Sequence, residues 1–177
     1  MKDNTNMNDV LLKTPIFTVV RGREVQPNFR PILVKSPDWV SIVVEKDGMF
    51  LMEKQHRYGL DKVCEEFPCG MIEENEAPIK AALRELVEET GYSVDESQLV
   101  YLGKNAANPA FMTNYMHYFY VKLTDSNHKI TDTNLDEHEQ IISFWKNKAE
   151  AEQDFIKSNT SAIMAGAWYR LRIANLI

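Results

Sequence analysis

The chain has 177 residues, enough for one folded domain with a full hydrophobic core but not for two independent ones. Its 20 lysine and arginine residues stand against 26 aspartate and glutamate residues, and the net charge of −6 argues against a protein held on nucleic acid by bulk positive charge. Two cysteines, a polar start and no apolar run near the ~18 residues of a membrane span favour a reduced, cytoplasmic protein without a membrane partner.

The N-terminal part divides into a polar start and two strand-like runs. Residues 1–14 begin with an Asn-rich stretch, and we expect a flexible terminus there. Residues 15–38 contain PIFTVVRG and RPILVKS, which predict a pair of strands joined by a turn-rich segment. Residues 39–177 then form the main domain.

The main domain opens with a predicted β-hairpin. Residues 39–45 are apolar and β-branched, Asp47 and Gly48 form a hairpin turn signal, and Met49–Arg57 returns from the turn. A further β-like piece covers residues 62–68, and a polar loop covers residues 70–77. These features predict a sheet at the start of the domain.

An amphipathic helix is predicted over Pro78–Thr90. Apolar residues recur at helical spacing, at Ile79, Ala82, Leu83, Leu86 and Val87. Gly91 stands where a C-terminal cap belongs. The pattern therefore predicts which face of the helix is buried and where the helix ends.

The rest of the chain alternates between strands and helices. Strand-like stretches recur at 99–104, Tyr115–Leu123 and 140–145, with a polar loop over 124–139. Residues 149–157 and 161–175 have helical patterns. The chain thus predicts an α/β fold with a mixed sheet flanked by helices.

Three carboxylates share the polar face of the predicted helix. Glu85, Glu88 and Glu89 lie at i, i+3 and i+4, so the helix brings them together although like charges repel at that spacing. A divalent cation would turn this repulsion into attraction, and oxygen ligands favour Mg²⁺ or Mn²⁺. On a generic helix the same pattern is more often a solvated acidic face with Arg84 paired to Glu88.

The sequence around these carboxylates decides between the two readings. Gly70 is followed after five residues by Glu76 and after seven more by RELVEETGY, which starts at Arg84. This spacing resembles the Nudix box, Gly-x5-Glu-x7-Arg-Glu-U-x-Glu-Glu-x-Gly-U, at every specified position. Tyr92 is the one loose match, because the last U is usually aliphatic.

The resemblance implies a fold and a set of metal ligands. It implies an α/β/α sandwich in which a loop–helix–loop binds Mg²⁺ or Mn²⁺ and hydrolyses a diphosphate linked to another moiety. Carried over to this chain, the ligands are the Cys69 backbone carbonyl, Glu85, Glu88 and Glu89, with Glu88 also counted as catalytic. Arg84 belongs to the catalytic set as the residue that orients the glutamates.

Segments outside the box resemble one branch of the family. PDWV, QHRYG, EEFPCG, NPAFMTN and LDEHEQI are similar to segments of ADP-ribose pyrophosphatases and nucleoside-diphosphate-sugar hydrolases. The branch implies that Arg57 contacts phosphate and that Glu66 lies near the metals. The chain has His56 and Cys69 where the branch usually has tyrosine and alanine.

The branch also implies that a late loop supplies the base that deprotonates water. Alignment of HEQI with the family's NEDI-like segment assigns this role to Glu139, with Glu137 as the alternative. A glutamate in a polar loop is ordinarily only solvated, and proton transfer requires a positioned carboxylate. The assignment therefore depends on the resemblance and on the loop's place in the chain.

The expected activity is metal-dependent hydrolysis of the diphosphate bridge of ADP-ribose or another nucleoside diphosphate sugar. Two alternatives remain open, an RNA 5′-pyrophosphohydrolase or nucleoside triphosphate pyrophosphatase, and a non-catalytic nucleotide-binding module. The acidic balance and the lack of a basic run interleaved with aromatics weigh against RNA. Related enzymes dimerise, so we expect a homodimer that uses the N-terminal strands, with a small-molecule substrate and no stable nucleic acid partner.

Overall fold

The computed structural model describes residues 9–135, 140–155, 157 and 160–177. Its strands are β1 (Val10–Lys13), β2 (Thr18–Arg21), β3 (Ile32–Lys35), β4 (Trp39–Lys46), β5 (Met49–Arg57), β6 (Lys62–Glu66), β7 (Cys69–Met71), β8 (Tyr92–Ser93), β9 (Val100–Ala106), β10 (Tyr115–Leu123), β11 (Lys129–Ile130) and β12 (Ile141–Asn147). Its helices are α1 (Pro78–Thr90), α2 (Lys148–Asp154) and α3 (Ala162–Ile173), and a short 3₁₀ helix covers Glu96–Gln98.

The main sheet is mixed and runs in the order β12-β5-β4-β10-β9, with β6 on β5 and β7 on β4. Strands β4 and β10 are parallel, whereas β9 and β12 join antiparallel. The predicted hairpin is confirmed: Glu45 pairs with Phe50 and Lys46 with Met49. Asp47 and Gly48 have φ of 52° and 76°, the positive values that a two-residue type I′ turn requires.

Helices cover both faces of this sheet. Helix α1 packs on one face against side chains such as Ile42 and Phe119. Helix α3 packs on the other face, where Trp168 lies against Phe50 and Phe67. Each such large side chain stabilises the fold by roughly 1.5–3 kcal/mol when fully buried. The predicted α/β/α arrangement with a mixed sheet is confirmed.

Helix α1 begins and ends where the sequence predicts. Pro78 occupies the first turn, where its missing N–H costs nothing. Gly91 adopts the left-handed conformation with φ of 74°, and its N–H donates to the Val87 carbonyl at 2.9 Å. A Cβ at Gly91 would also lie 2.3 Å from the Thr131 carbonyl oxygen. Both the left-handed backbone and this close contact therefore disfavour any residue larger than glycine.

The N-terminal strands form a separate antiparallel sheet in the order β1-β2-β3. The expectation of a flexible segment over residues 1–14 is wrong at its end, because β1 lies inside it and pairs with β2. The short VLLK run forms a strand because it pairs with β2. Asp9, just before this strand, also forms an ion pair with Arg30. On its other side the sheet meets the NPAFMTN segment, where the Val34 N–H donates to the Phe111 carbonyl at 2.8 Å.

The remaining differences are short elements and element ends. Strands β7, β8 and β11 have two or three residues each and were not predicted, because pairing rather than local pattern creates strands of that length. Strands β9 and β12 extend slightly beyond their predicted ends, and α2 stops at Asp154. In the described part of the chain no helix is long and apolar enough to span a membrane.

Arginine 170 covers the open edge of the main sheet. Strand β9 ends the sheet, and from α3 the Arg170 guanidinium donates to the carbonyls of Leu102 and Lys104 at 2.7 Å and to Asn105 Oδ1 at 2.9 Å. Gly103 makes room for it, since a Cβ there would lie 2.5 Å from Arg170 Nη1. Exposed strand edges invite pairing with other chains, and this arginine occupies the carbonyls that such pairing would use.

Replacing Arg170 by alanine should lower the free energy of unfolding by about 1–3 kcal/mol, because two strand carbonyls lose a charged donor. Arg172→Ala is the matched control on the same helix, since Arg172 makes one exposed ion pair with Glu152, worth at most about 1 kcal/mol. Urea unfolding of both variants measures the difference. Equal losses would show that Arg170 does no more than a surface arginine.

Candidate active site

A cleft of about 180 Å³ lies between the N-terminal part of β4, strand β7 and the polar face of α1. Residues of six segments line it: Trp39, Arg57, Cys69, Gly70, Met71, Glu73, Arg84, Glu85, Glu88 and Asn134. Pairing of β7 with β4 and packing of α1 on the sheet bring these segments together. Of the eight predicted site residues, Arg57, Cys69, Arg84, Glu85 and Glu88 line the cleft directly.

Glu89 ties the helix to strand β7. Its side chain is buried, with 5% of the residue exposed, and Oε2 accepts a hydrogen bond from the Cys69 backbone N–H at 2.9 Å. A buried carboxylate is costly unless such partners or a cation compensate its charge. Its position beside the Cys69 backbone brings two of the predicted metal ligands into contact.

Glu85 lies in space that only glycine leaves open. A Cβ on Gly70 would be 2.0 Å from the Glu85 carboxyl carbon and 2.0 Å from Oε1. The glycine of the box therefore forms a cradle that holds this carboxylate against the backbone of β7. Any larger residue at position 70 would push the Glu85 carboxylate out of the cleft.

Arg84 holds the carboxylates of the box. Its Nη1 donates to Glu85 Oε1 at 2.8 Å and to Glu88 Oε2 at 3.0 Å, while Nε donates to Glu76 Oε1 at 3.0 Å and Nη2 to the Met71 carbonyl at 2.9 Å. The hydrogen bond to Glu76 raises the pKa of Arg84 above its ordinary value despite partial burial, and Glu85 and Glu88 add to this rise. The guanidinium thus stays charged and is surrounded by glutamates.

Arg57 lines the cleft from the end of β5. Its Nε donates to Glu66 Oε2 at 2.6 Å, and its Nη2 donates to Cys69 Sγ at 3.3 Å. Burial alone would lower the pKa of Arg57, but the negative charge of Glu66 and the hydrogen bond to Glu66 raise it instead. Predicted residues Arg57 and Glu66 are therefore in direct contact, with Glu66 almost fully buried.

The donor chemistry of the cleft fits a hard divalent cation. Its acidic side chains offer oxygen donors, and the Gly70 cradle places the Glu85 carboxylate beside the backbone of β7. Within the described residues no three His, Cys, Asp or Glu side chains already surround one point. Arg84 Nη1 instead contacts both Glu85 and Glu88, so a cation would compete with it for these two carboxylates.

The late polar loop reaches the same helix. The Asn134 N–H donates to the Glu88 carbonyl at 2.9 Å, and Asn134 lines the cleft. After the loop, the Ser143 hydroxyl on β12 donates to the Glu89 carbonyl at 3.4 Å. The predicted base Glu139 and its alternative Glu137 lie outside the described residues, so their assignment stays a prediction.

Three contributions to the cleft have no counterpart in the sequence predictions. Glu76 was noted as a fixed position of the box, but its contacts with Arg84 follow only from the fold of the loop before α1. Asn134 directly precedes the LDEHEQI segment but does not belong to it. The sequence assigns a role only to the Cys69 backbone carbonyl, whereas the Cys69 sulfur contacts Arg57.

A family model and a solved structure each match most of the chain. The family model of the NUDIX domain matches residues 35–164. A solved structure of an ADP compounds hydrolase superposes with a TM-score of 0.77 at 20% identity, covering 94% of this chain and 90% of that one. At 20% identity, this similarity supports the fold alone.

Two curated relatives are similar over part of their length. The ADP-ribose pyrophosphatase of Bacillus subtilis (strain 168) is 36% identical over 88 residues, which are 49% of this chain and 46% of the relative. The methanol dehydrogenase activator of Bacillus methanolicus is 30% identical over 118 residues, 66% of this chain and 63% of the relative. The chain thus spans about half to two thirds of these relatives. Because the family model covers most of the chain and every specified position of the box is present, the chain belongs to the Nudix family.

Proposed function

We propose that the protein is a metal-dependent hydrolase that cuts the diphosphate bridge of ADP-ribose or another nucleoside diphosphate sugar. The products are a nucleoside monophosphate and a sugar phosphate. The observation that carries the proposal is one cleft lined by both the box carboxylates Glu85 and Glu88 and the side chain of Arg57. The similarity to a protein named ADP-ribose pyrophosphatase supports the choice of substrate class.

The charges in the cleft explain why a cation is needed. A diphosphate is an anion, and Glu85, Glu88 and Glu89 would repel it. Mg²⁺ or Mn²⁺ would be held by these carboxylates and by the Cys69 carbonyl. When bound, such a cation neutralises the repulsion and polarises the phosphorus centre towards attack by water.

Side chains of the protein bind the phosphate, orient the metal-binding carboxylates and accept a proton. Arg57, which lines the cleft, binds a phosphate oxygen, while the Glu66 carboxylate accepts a hydrogen bond from its Nε at 2.6 Å. Arg84 orients Glu85 and Glu88 and does not touch the substrate. Glu139 accepts the proton of the attacking water.

A substrate panel tests this proposal against the two alternatives. The panel contains ADP-ribose, ADP- and UDP-linked sugars, nucleoside triphosphates and 5′-triphosphate RNA, each assayed with Mg²⁺. We expect the highest kcat/KM for ADP-ribose or a nucleoside diphosphate sugar, although one methylene in a pocket changes discrimination by only ~1–3 kcal/mol. The best turnover on RNA or a triphosphate would overturn the substrate class, and binding without turnover would indicate a non-catalytic module.

The N-terminal sheet supports a second part of the proposal, a homodimer. It leaves apolar side chains exposed that a monomer of this size would ordinarily cover: Val10, Leu11, Leu12, Ile16, Phe17, Val25, Phe29 and Ile32. A three-stranded sheet needs an apolar surface to cover its open face, and a second copy of the chain provides one. Through Val34 the same sheet contacts the NPAFMTN segment, which links the dimer surface to the main domain.

The cytoplasmic location of the protein stays a prediction.

Light scattering at micromolar concentration should give the mass of a dimer. Leu12→Glu, on the exposed face of β1, should shift the protein towards monomer because it buries a charge in the interface. Ile173→Glu is the matched control, since Ile173 is also exposed but lies on α3. A fully active monomer of the unaltered chain would refute the dimer.

A further inference from the structure

Cys69 contacts both the helix that carries the box carboxylates and the side chain of Arg57. Its backbone N–H donates to Glu89 of the metal-binding helix, and its sulfur accepts a hydrogen bond from Arg57 Nη2 at 3.3 Å. The branch that the sequence resembles usually has alanine here, and an alanine side chain ends at Cβ. The contact between sulfur and arginine therefore depends on the cysteine side chain.

We propose that the Cys69 thiol is a positioning residue that fixes the guanidinium of Arg57 in the direction needed to bind the substrate diphosphate. The inference rests on the proposed role of Arg57 as a phosphate ligand. It concerns the side chain of Cys69 and is separate from the role proposed for the Cys69 carbonyl.

Two points of contact explain how the thiol acts. The Glu66 carboxylate holds Nε at 2.6 Å, and a single contact of this kind leaves the planar guanidinium free to pivot about it. The sulfur provides a second contact at Nη2, on a different nitrogen. With both contacts made, the plane and the direction of the remaining N–H donors are fixed before substrate arrives, which lowers the ordering cost of binding.

The chemistry of a thiol suits this position. A protonated thiol carries no charge, and its sulfur can still accept a hydrogen bond such as the one from Arg57 Nη2. A neutral acceptor orients Arg57 without cancelling its positive charge, whereas a second carboxylate beside Glu66 would weaken its attraction for phosphate. With 5% of the residue exposed, Cys69 is also poorly placed to serve as a nucleophile.

Kinetics on Cys69→Ala test the proposal. With ADP-ribose and Mg²⁺, loss of one orienting hydrogen bond should raise KM about three- to tenfold and leave kcat within about twofold. Cys69→Ser retains an acceptor and should retain a lower KM than Cys69→Ala. Cys64→Ala is the matched control, because Cys64 is the second buried thiol and its sulfur contacts only the Lys62 carbonyl, at 4.0 Å, among the hydrogen bonds described.

A double-mutant cycle shows whether the thiol acts through Arg57. If it does, Cys69→Ala should add little to the KM of Arg57→Ala, so the two effects are not additive. An equal rise in both backgrounds, an unchanged KM in the unaltered background, or a fall in kcat without a rise in KM would each overturn the proposal.

A measurement without substrate separates this inference from the proposed function. In nitrogen-15 NMR spectra of the arginine side chains, slow rotation of the Arg57 Nη groups should become faster in Cys69→Ala and not in Cys64→Ala; Arg57→Lys identifies the signals. Unchanged rotation in Cys69→Ala would overturn the positioning role, whatever the substrate is. Faster rotation together with no turnover of ADP-ribose would support the contact and count against the proposed function alone.

Discussion

Replacing Glu89 by glutamine should lower kcat by on the order of 100-fold or more while the fold stays intact. Glutamine has the shape of glutamate and nearly its helix propensity, and its side-chain oxygen can still accept the Cys69 N–H. The variant therefore removes the negative charge and leaves the packing of α1 on β7. Because Glu89 is proposed to hold the cation, loss of its negative charge should weaken cation binding and thereby lower kcat.

Steady-state kinetics with ADP-ribose measure kcat, and far-ultraviolet circular dichroism shows whether the fold is intact. Glu74→Gln is the matched control, since Glu74 is an exposed carboxylate in the loop before the same helix. It should leave kcat nearly unchanged. An unchanged kcat in Glu89→Gln with an intact fold would remove Glu89 from the site.

Replacing Glu139 by glutamine should lower kcat by roughly 10²- to 10⁴-fold with little change in KM, the effect of losing a general base. Glutamine keeps the size of the side chain but accepts no proton near neutral pH. The described residues on either side of the loop, Asn134 and Ser143, contact the backbone of α1 at Glu88 and Glu89. Asn134 and Ser143 therefore lie against the helix that carries the box carboxylates.

Glu137→Gln serves as the comparison, because it makes the same chemical change two residues earlier in the same loop. It should lower kcat much less than Glu139→Gln does. The reverse order would mean that the alignment across the loop is displaced and that Glu137 is the base. Small effects in both variants would place the base elsewhere.

The parts of the fold that local chemistry fixes could be predicted closely. Helix α1 has the predicted bounds, because its apolar spacing, Pro78 and Gly91 all act within a few residues of one another. The same holds for the turn at Asp47 and Gly48. The cluster of Glu85, Glu88 and Glu89 follows from helical geometry alone, which is why the acidic face of the site was visible in the sequence.

Contacts between distant segments could not be predicted in this way. The hydrogen bond between Cys69 and Glu89 joins residues 20 positions apart, and it exists because the three-residue strand β7 pairs with β4. Arg170 and the β9 carbonyls are more than 60 positions apart. No local propensity marks these partners, since each depends on how the sheet and helices assemble.

Identification of the products made from ADP-ribose tests the central claim most directly. The chain is incubated with ADP-ribose and Mg²⁺, with excess EDTA, and with EDTA followed by excess Mg²⁺ or Mn²⁺, and the products are identified by mass. The account predicts AMP and ribose 5-phosphate when the metal is present, neither with EDTA, and their return when metal is restored. Full turnover in excess EDTA, or products that keep the diphosphate bridge intact, would contradict it.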